Sequence, residues 1–99
     1  MTRVGPPKHL TTAARKLWRE IAEEIELDRA ASLLLTTLCE QFDRMNEARE
    51  ILKRDGIISK DRFSQDKPHP ACAIETAALT GMMRAWRLLG FDQAPPGGN

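Results

Sequence analysis

Residues 28–56 read DRAASLLLTTLCEQFDRMNEAREILKRDG, and this segment predicts one long helix. Asp28 is a cap residue, because its carboxylate can accept a bond from the free backbone N–H groups of a first turn. No Pro or Gly interrupts the run before Gly56, which suits the left-handed position that closes a helix. Lys53 and Arg54 fall in the last turn, where positive charge meets the negative end of the helix dipole. Leu35, Leu38, Phe42, Met45 and Leu52 follow steps of three, four, three and seven, a heptad seam in which Arg49 fills one position with charge. About 25 helical residues at 1.5 Å each span roughly 38 Å. That is long against the radius of gyration near 13 Å of a domain of about 100 residues. Either it projects, or other helices and other subunits pack along it. Arg49 is expected where that packing opens.

Upstream, a second helix is predicted over Thr12–Ile25, capped by Thr11 or Thr12. Ala14, Leu17, Trp18, Ile21, Ala22 and Ile25 make an apolar stripe of period 3.6. Arg15, Lys16 and Arg19 lie on the opposite face, followed by Glu20, Glu23 and Glu24, a gradient that opposes the helix dipole. The three cations are candidates for phosphate contact, or else a solvated face. The short link Glu26-Leu27-Asp28 folds this helix back antiparallel along the first half of the long one. Before it, residues 1–10 form an extended arm, held out of helical geometry by Pro6-Pro7 and made basic by Arg3, Lys8 and His9.

Downstream of Gly56, Ile57-Ile58 and Phe63 flank a polar tip and predict a short β-hairpin or loop carrying Lys60, Arg62 and Lys67. Pro70 suits the first position of a third helix over Pro70–Leu89. One stripe holds Ala71, Ile74, Ala78, Met82, Ala85 and Leu89, and a second holds Cys72, Leu79, Met83 and Trp86. A helix apolar on two faces needs two partners. The long helix, in its second half, is one, and a neighbouring subunit is the other, with Leu79, Met82, Met83 and Trp86 as interface candidates. Gly90 followed by Phe91, set to touch Trp86, fits a Schellman ending.

The fold class is thus all-α. Three helices are arranged as an antiparallel helix 1–helix 2 hairpin with a long central helix, a short β-hairpin or loop, and a C-terminal helix. Residues 11–91 form a single domain and residues 92–99, with Pro95-Pro96-Gly97-Gly98, a disordered tail. The expected core is Leu17, Trp18, Ile21, Leu35, Leu38, Phe42, Met45, Leu52, Ile74 and Ala78. On the exposed face of helix 2, Glu40–Arg44 and Glu50–Arg54 are spaced for ion pairing.

Fifteen basic against fourteen acidic side chains leave a net charge of +1, which argues against binding nucleic acid through bulk charge and leaves room for a local patch. The two cysteines, Cys39 and Cys72, are no disulfide framework and suit a reducing cytoplasm. The N-terminus has no apolar signal region, and no run is long enough to span a membrane. His69 and Cys72 offer half a metal site, short of the ligands zinc requires. With no phosphate-binding glycine loop and no H-E-x-x-H pair, the chain reads as a non-enzyme without cofactors.

The order of segments resembles the small subunit of phage terminases. Pro6-Pro7-Lys8-His9-Leu10-Thr11 precedes Ala14-Arg15-Lys16-Leu17-Trp18. Leu27-Asp28 and a long helix with an Arg/Glu-rich second half follow. Then come Gly56 with a hairpin, Pro70-Ala71, Met83-Arg84 and Leu88-Leu89-Gly90-Phe91. The resemblance implies a non-catalytic adaptor of the bacterial host cytoplasm, of phage, prophage or gene-transfer-agent origin. It implies a ring-shaped homo-oligomer that engages double-stranded DNA and regulates the large subunit, which holds the packaging ATPase and nuclease. Arg3, Lys8, Arg15, Lys16, Arg19, Lys60 and Arg62 are the candidate DNA contacts. A helical DNA-binding regulator and a protein-interaction module without DNA contact are the alternatives. The first is disfavoured by Ala30-Ala31-Ser32-Leu33-Leu34, too apolar a helix start to read base edges.

Overall fold

Helix α1 covers Thr12–Ala22, α2 Arg29–Asp55 and α3 Pro70–Leu88, with strands β1 (Ile58–Lys60) and β2 (Asp66–Pro68) between α2 and α3. These elements belong to a computed structural model, which describes residues 5–91. The expected three-helix arrangement is what forms. Arg3 and the 92–99 segment lie outside the described residues.

The caps explain the boundaries. Thr11 accepts from the Ala14 amide, Asp28 from Ala31 and His69, through Nδ1, from Ala71, so each helix starts on a side chain that satisfies one of its free donors. Gly56 ends α2 at φ +82°, where a side chain would be strained, and its amide reaches back to the Leu52 carbonyl at 2.7 Å. At the end of α3 the Gly90 amide donates to Arg87 O and the Phe91 amide to Trp86 O, both bonds of a Schellman motif. Its apolar contact is the Phe91 ring stacked on Trp86 at 4.2 Å between centroids.

Helix α1 stops at Ala22, short of the predicted Ile25. Glu23, Glu24 and Glu26 crowd the negative end of its dipole, and no glycine closes it. The chain leaves through a tight turn, Glu24 N to Ile21 O, and Ile25 still packs half-buried against the core.

The core is one cluster fed by all three helices: Leu10, Ala14, Trp18 and Ile21; Leu35, Leu38, Cys39 and Met45; Ala78, Met82, Ala85 and Trp86. Leu35 and Leu38 are fully buried, each worth about 1.5–3 kcal/mol relative to exposure. Leu17, Phe42, Leu89 and Phe91 pack half-buried around the cluster, and Leu52 is half-buried.

Three expectations are corrected here. Met82 and Trp86 are not presented to a neighbouring subunit. They are 6% and 7% exposed inside this chain, because the end of α3 lies where α1 and α2 both contribute to the core. Ile74, predicted as core, is 43% exposed. It sits towards the start of α3, beside Ile51 and beyond the reach of α1, where two helices leave one side open. Helix α3 also follows α2 along its whole length rather than its second half. Glu75 pairs with Arg49, Gly81 adjoins Gln41, and Leu88 and Leu89 line one groove with Leu34.

Arg49 lies exposed at the edge of the packing. Its Nε lies 2.8 Å from Glu75 Oε2 and ties α2 to α3. The anticipated i,i+4 pairs on α2 are replaced as well, since Glu40 meets His9 and Arg54 turns to the adjacent Asp55.

Candidate nucleic-acid and assembly surfaces

The arm of residues 5–10 does not trail away from the helices. Leu10 is 3% exposed in the core, and its amide donates to the Pro7 carbonyl. His9 Nε2 meets Glu40 Oε2 at 2.8 Å, and Thr11 gives both its amide and its hydroxyl to the Asp43 carboxylate. Helix α1 has no acidic residue in its own first turn, so Asp43 of α2 supplies the negative charge that its positive dipole end favours. This clamp fixes where the basic side chains of α1 stand.

Lys8, Lys16 and Arg19 are exposed and Arg15 is half-buried. Among the described residues none of the four has an ion-pair partner. They form one unneutralised basic group, gathered on α1 and the turn before it. The adjoining face of α2 has the opposite sign. Glu40, Asp43 and Glu47 line a groove of about 570 Å³ with Leu10, Ala48 and Ile74, and Arg44 is its one Arg or Lys. That groove repels phosphate, so a polyanion would meet α1 from its outer side.

Lys60 and Arg62 are not brought to the same place. Asp43, opposite the start of α1, and Asp55, at the root of the hairpin, are twelve residues apart on α2, or about 18 Å along its axis. Lys60 is neutralised by Asp66, its cross-strand neighbour in a register that also pairs Ile58 with Pro68 and Ser59 with Lys67. Arg62 stays exposed with its guanidinium 5.1 Å from the Phe63 ring centroid. The tip is tightly built. Asp61 accepts from the amides of Phe63 and Gln65, its own amide donates to Gln65 O, and Ser64 adopts φ +60° to close the turn.

The hairpin is anchored through His69. Its amide donates to Ile57 O at 2.8 Å, its carbonyl accepts from Cys72, and its ring bridges helices. Nδ1 takes the Ala71 amide, so the ring proton belongs on Nε2, which donates to Asp55 Oδ2 at 3.2 Å. Arg54 binds the same carboxylate through Nε and Nη2. With His69 it holds Asp55 down at about 2, the Arg54 hydrogen bond being the larger cause. The Arg54 guanidinium is raised in return. Sequence reading identified His69 only as half a metal site. Its role as a cap was signalled by its place immediately before Pro70.

Burial pushes the Cys39 thiol up to about 12, with Asp43 and Glu40 adding to the effect, so Cys39 is an inert core residue. Both cysteines are free, and among the described residues no group of three or more His, Cys, Asp or Glu side chains could hold a metal ion. Among the same residues no helix is long and apolar enough to cross a membrane. Of the interface candidates that remain outside the core, Leu79 is 41% exposed and Met83 half-buried, both on α3.

A family model described as "Phage terminase, small subunit" matches residues 14–94, from the first turn of α1 through the hairpin and past the end of α3. Neither the curated proteins nor the solved structures include a match to this chain.

Proposed function

Because the chain belongs to the phage terminase small-subunit family, we propose that it is a non-catalytic, oligomeric adaptor of a DNA-packaging machine. In this reading it engages double-stranded viral DNA and regulates a large ATPase/nuclease subunit in the host cytoplasm. The observation that carries the reading is the extent of the family match, which takes in all three helices.

The unpaired cations of α1 support DNA contact. Lys8, Arg15, Lys16 and Arg19 form the primary basic surface, and Arg3 precedes them in sequence. Lys60 and Arg62 on the hairpin form a second, weaker one, since Lys60 is already neutralised. With a net charge of +1 this contact is local, made through a few phosphates. In a ring, Leu79 and Met83 on the exposed side of α3 would add only a minor part of the contact between copies, since Met82 and Trp86 turn inward.

The test is a DNA titration at several salt concentrations. Binding should fall linearly on a log–log plot with a slope of about −0.9 per phosphate neutralised. Replacing Arg15, Lys16 and Arg19 by Glu should weaken binding and flatten the slope by about one unit per lost contact. Equal binding by parent and variant would remove α1 from the interface. Failure of the parent to bind at low salt would leave an adaptor that acts through proteins alone.

A further inference from the structure

The two ends of the α2–α3 pair differ in charge and match in apolar character. At the start of α2 a groove of about 440 Å³ is lined by Ile25, Leu34 and Leu88 and by the exposed carboxylates of Glu24, Glu26 and Asp28. No basic residue lines it, and Leu88 is 65% exposed. At the far end the hairpin raises Phe63, 70% exposed, with the Arg62 guanidinium over its ring. Two of the three nearby carboxylates are committed, Asp66 to Lys60 and Asp61 to the amides of the tip, and the third, Asp55, is held by Arg54 and His69. Arg62 and Lys67 are therefore left uncompensated.

We infer that the hairpin tip of one copy docks into the acidic, apolar groove of a second copy, a head-to-tail contact. The protein's own tip cannot fill its own groove. Leu34 in the groove and Asp55 at the hairpin root are 21 residues apart on one helix, about 31 Å. The occupant is chosen by complementarity: an aromatic ring capped by a cation meets an apolar floor flanked by carboxylates. The tip is also organised in advance by the Asp61 turn, so little ordering remains to be done on docking. Such a contact is heterologous, with a different patch on each partner, and propagates into a closed ring or an open string. It deepens the homo-oligomer reading by assigning surfaces, and it does not depend on whether DNA is bound. A contact built on one knob is small and belongs to the weak class.

The experiment uses the full chain without DNA and reads mass by light scattering over a range of concentrations. One variant blunts the knob, Arg62→Ala with Phe63→Ala. The other blunts the groove, Leu88→Ser with Glu24→Gln and Glu26→Gln. All five positions are exposed, and circular dichroism confirms that each variant keeps its helices. The parent should gain mass with concentration, and each variant alone should remain monomeric. An equimolar mixture should stop at a dimer of one chain of each kind, because only one intact knob and one intact groove remain. A parent that is monomeric throughout overturns the inference. So do variants that assemble as the parent does, and so does a mixture that gives no dimer. Because DNA is absent from every arm, none of these results bears on DNA contact through α1; a docked tip withdraws only Arg62 from the weaker hairpin surface.

Discussion

Trp18 is the largest of the buried side chains of α1, and it carries an unmet demand. It is 2% exposed, and its indole Nε1 has no hydrogen-bond partner among the described residues. Removing the ring by Trp18→Ala should cost about 3–5 kcal/mol. Trp18→Phe keeps most of the apolar volume and removes the orphan donor, whose burial itself costs about 1–3 kcal/mol, so it should cost far less than Trp18→Ala. Thermal denaturation of the two variants measures the contrast, and equal losses would show that the indole N–H is satisfied. His69 gives a second test. His69→Ala removes the acceptor that caps α3 and should cost about 1 kcal/mol, or roughly 4–8 °C in Tm, while His69→Asn should restore much of it. Asp55 makes the fold sensitive to acid. Its carboxyl is held at about 2, below the usual 3.8, so its contribution is complete above about pH 4 and disappears as pH falls through 2. Arg54 is adjacent in sequence and can hold the same carboxylate in the unfolded chain, so the fold-specific part is the bond from His69. Wild type should lose stability between pH 4 and pH 2 relative to Asp55→Asn, by an amount smaller than the depressed pKa alone would give. Parallel curves in urea titrations over that window would exclude the linkage.

Helix boundaries were legible because they depend on local chemistry. Asp28, Gly56, Pro70 and the Gly90-Phe91 pair each satisfy or end a turn with groups a few residues away. The end of α1 was the exception, since the Glu23-Glu24-Glu26 cluster acts against a helix whose apolar stripe would otherwise continue. Facing was harder. Two apolar stripes on α3 compete for the same core, and nothing in the sequence of α3 says where α1 begins beside it. That distance decides why Trp86 is enclosed and Ile74 is not. The candidate DNA residues were legible as a list and not as a surface. The clamp between Thr11 and Asp43 that positions α1, and the Asp66 partner that neutralises Lys60, are contacts made across the fold. Packing of α2 against α3 makes its own prediction at Gly81. The nearest atoms a Cβ built there would meet belong to the Gln41 side chain, at 3.4 Å, and that side chain can move. Gly81→Ala should therefore raise stability by about 0.5–1 kcal/mol through helix propensity alone. A lower Tm would mean that the half-buried Gln41 side chain cannot give way.

The protein as a whole is organised around α2, which borders α1 along its first half and α3 from end to end. The connection to α1 is the short 23–28 segment, whereas Leu34 and Leu88 line one groove across more than half the chain. That difference in sequence separation sets an order of events in time. Closing the short connection loses little chain entropy, so the α1–α2 pair can form early, and the far end of α3 must wait for a longer loop to close. Leu38→Ala, in the part of α2 that both neighbours cover, should chiefly slow refolding. Met82→Ala, on the late-arriving half of α3, should chiefly speed unfolding. Stopped-flow chevrons would separate the two limbs, and the reverse pattern would make the α2–α3 pair the nucleus. The spine of the structure is then also its clock, because whatever delays the arrival of α3 leaves Leu35, Leu38 and Trp18 without their cover of Met82 and Trp86.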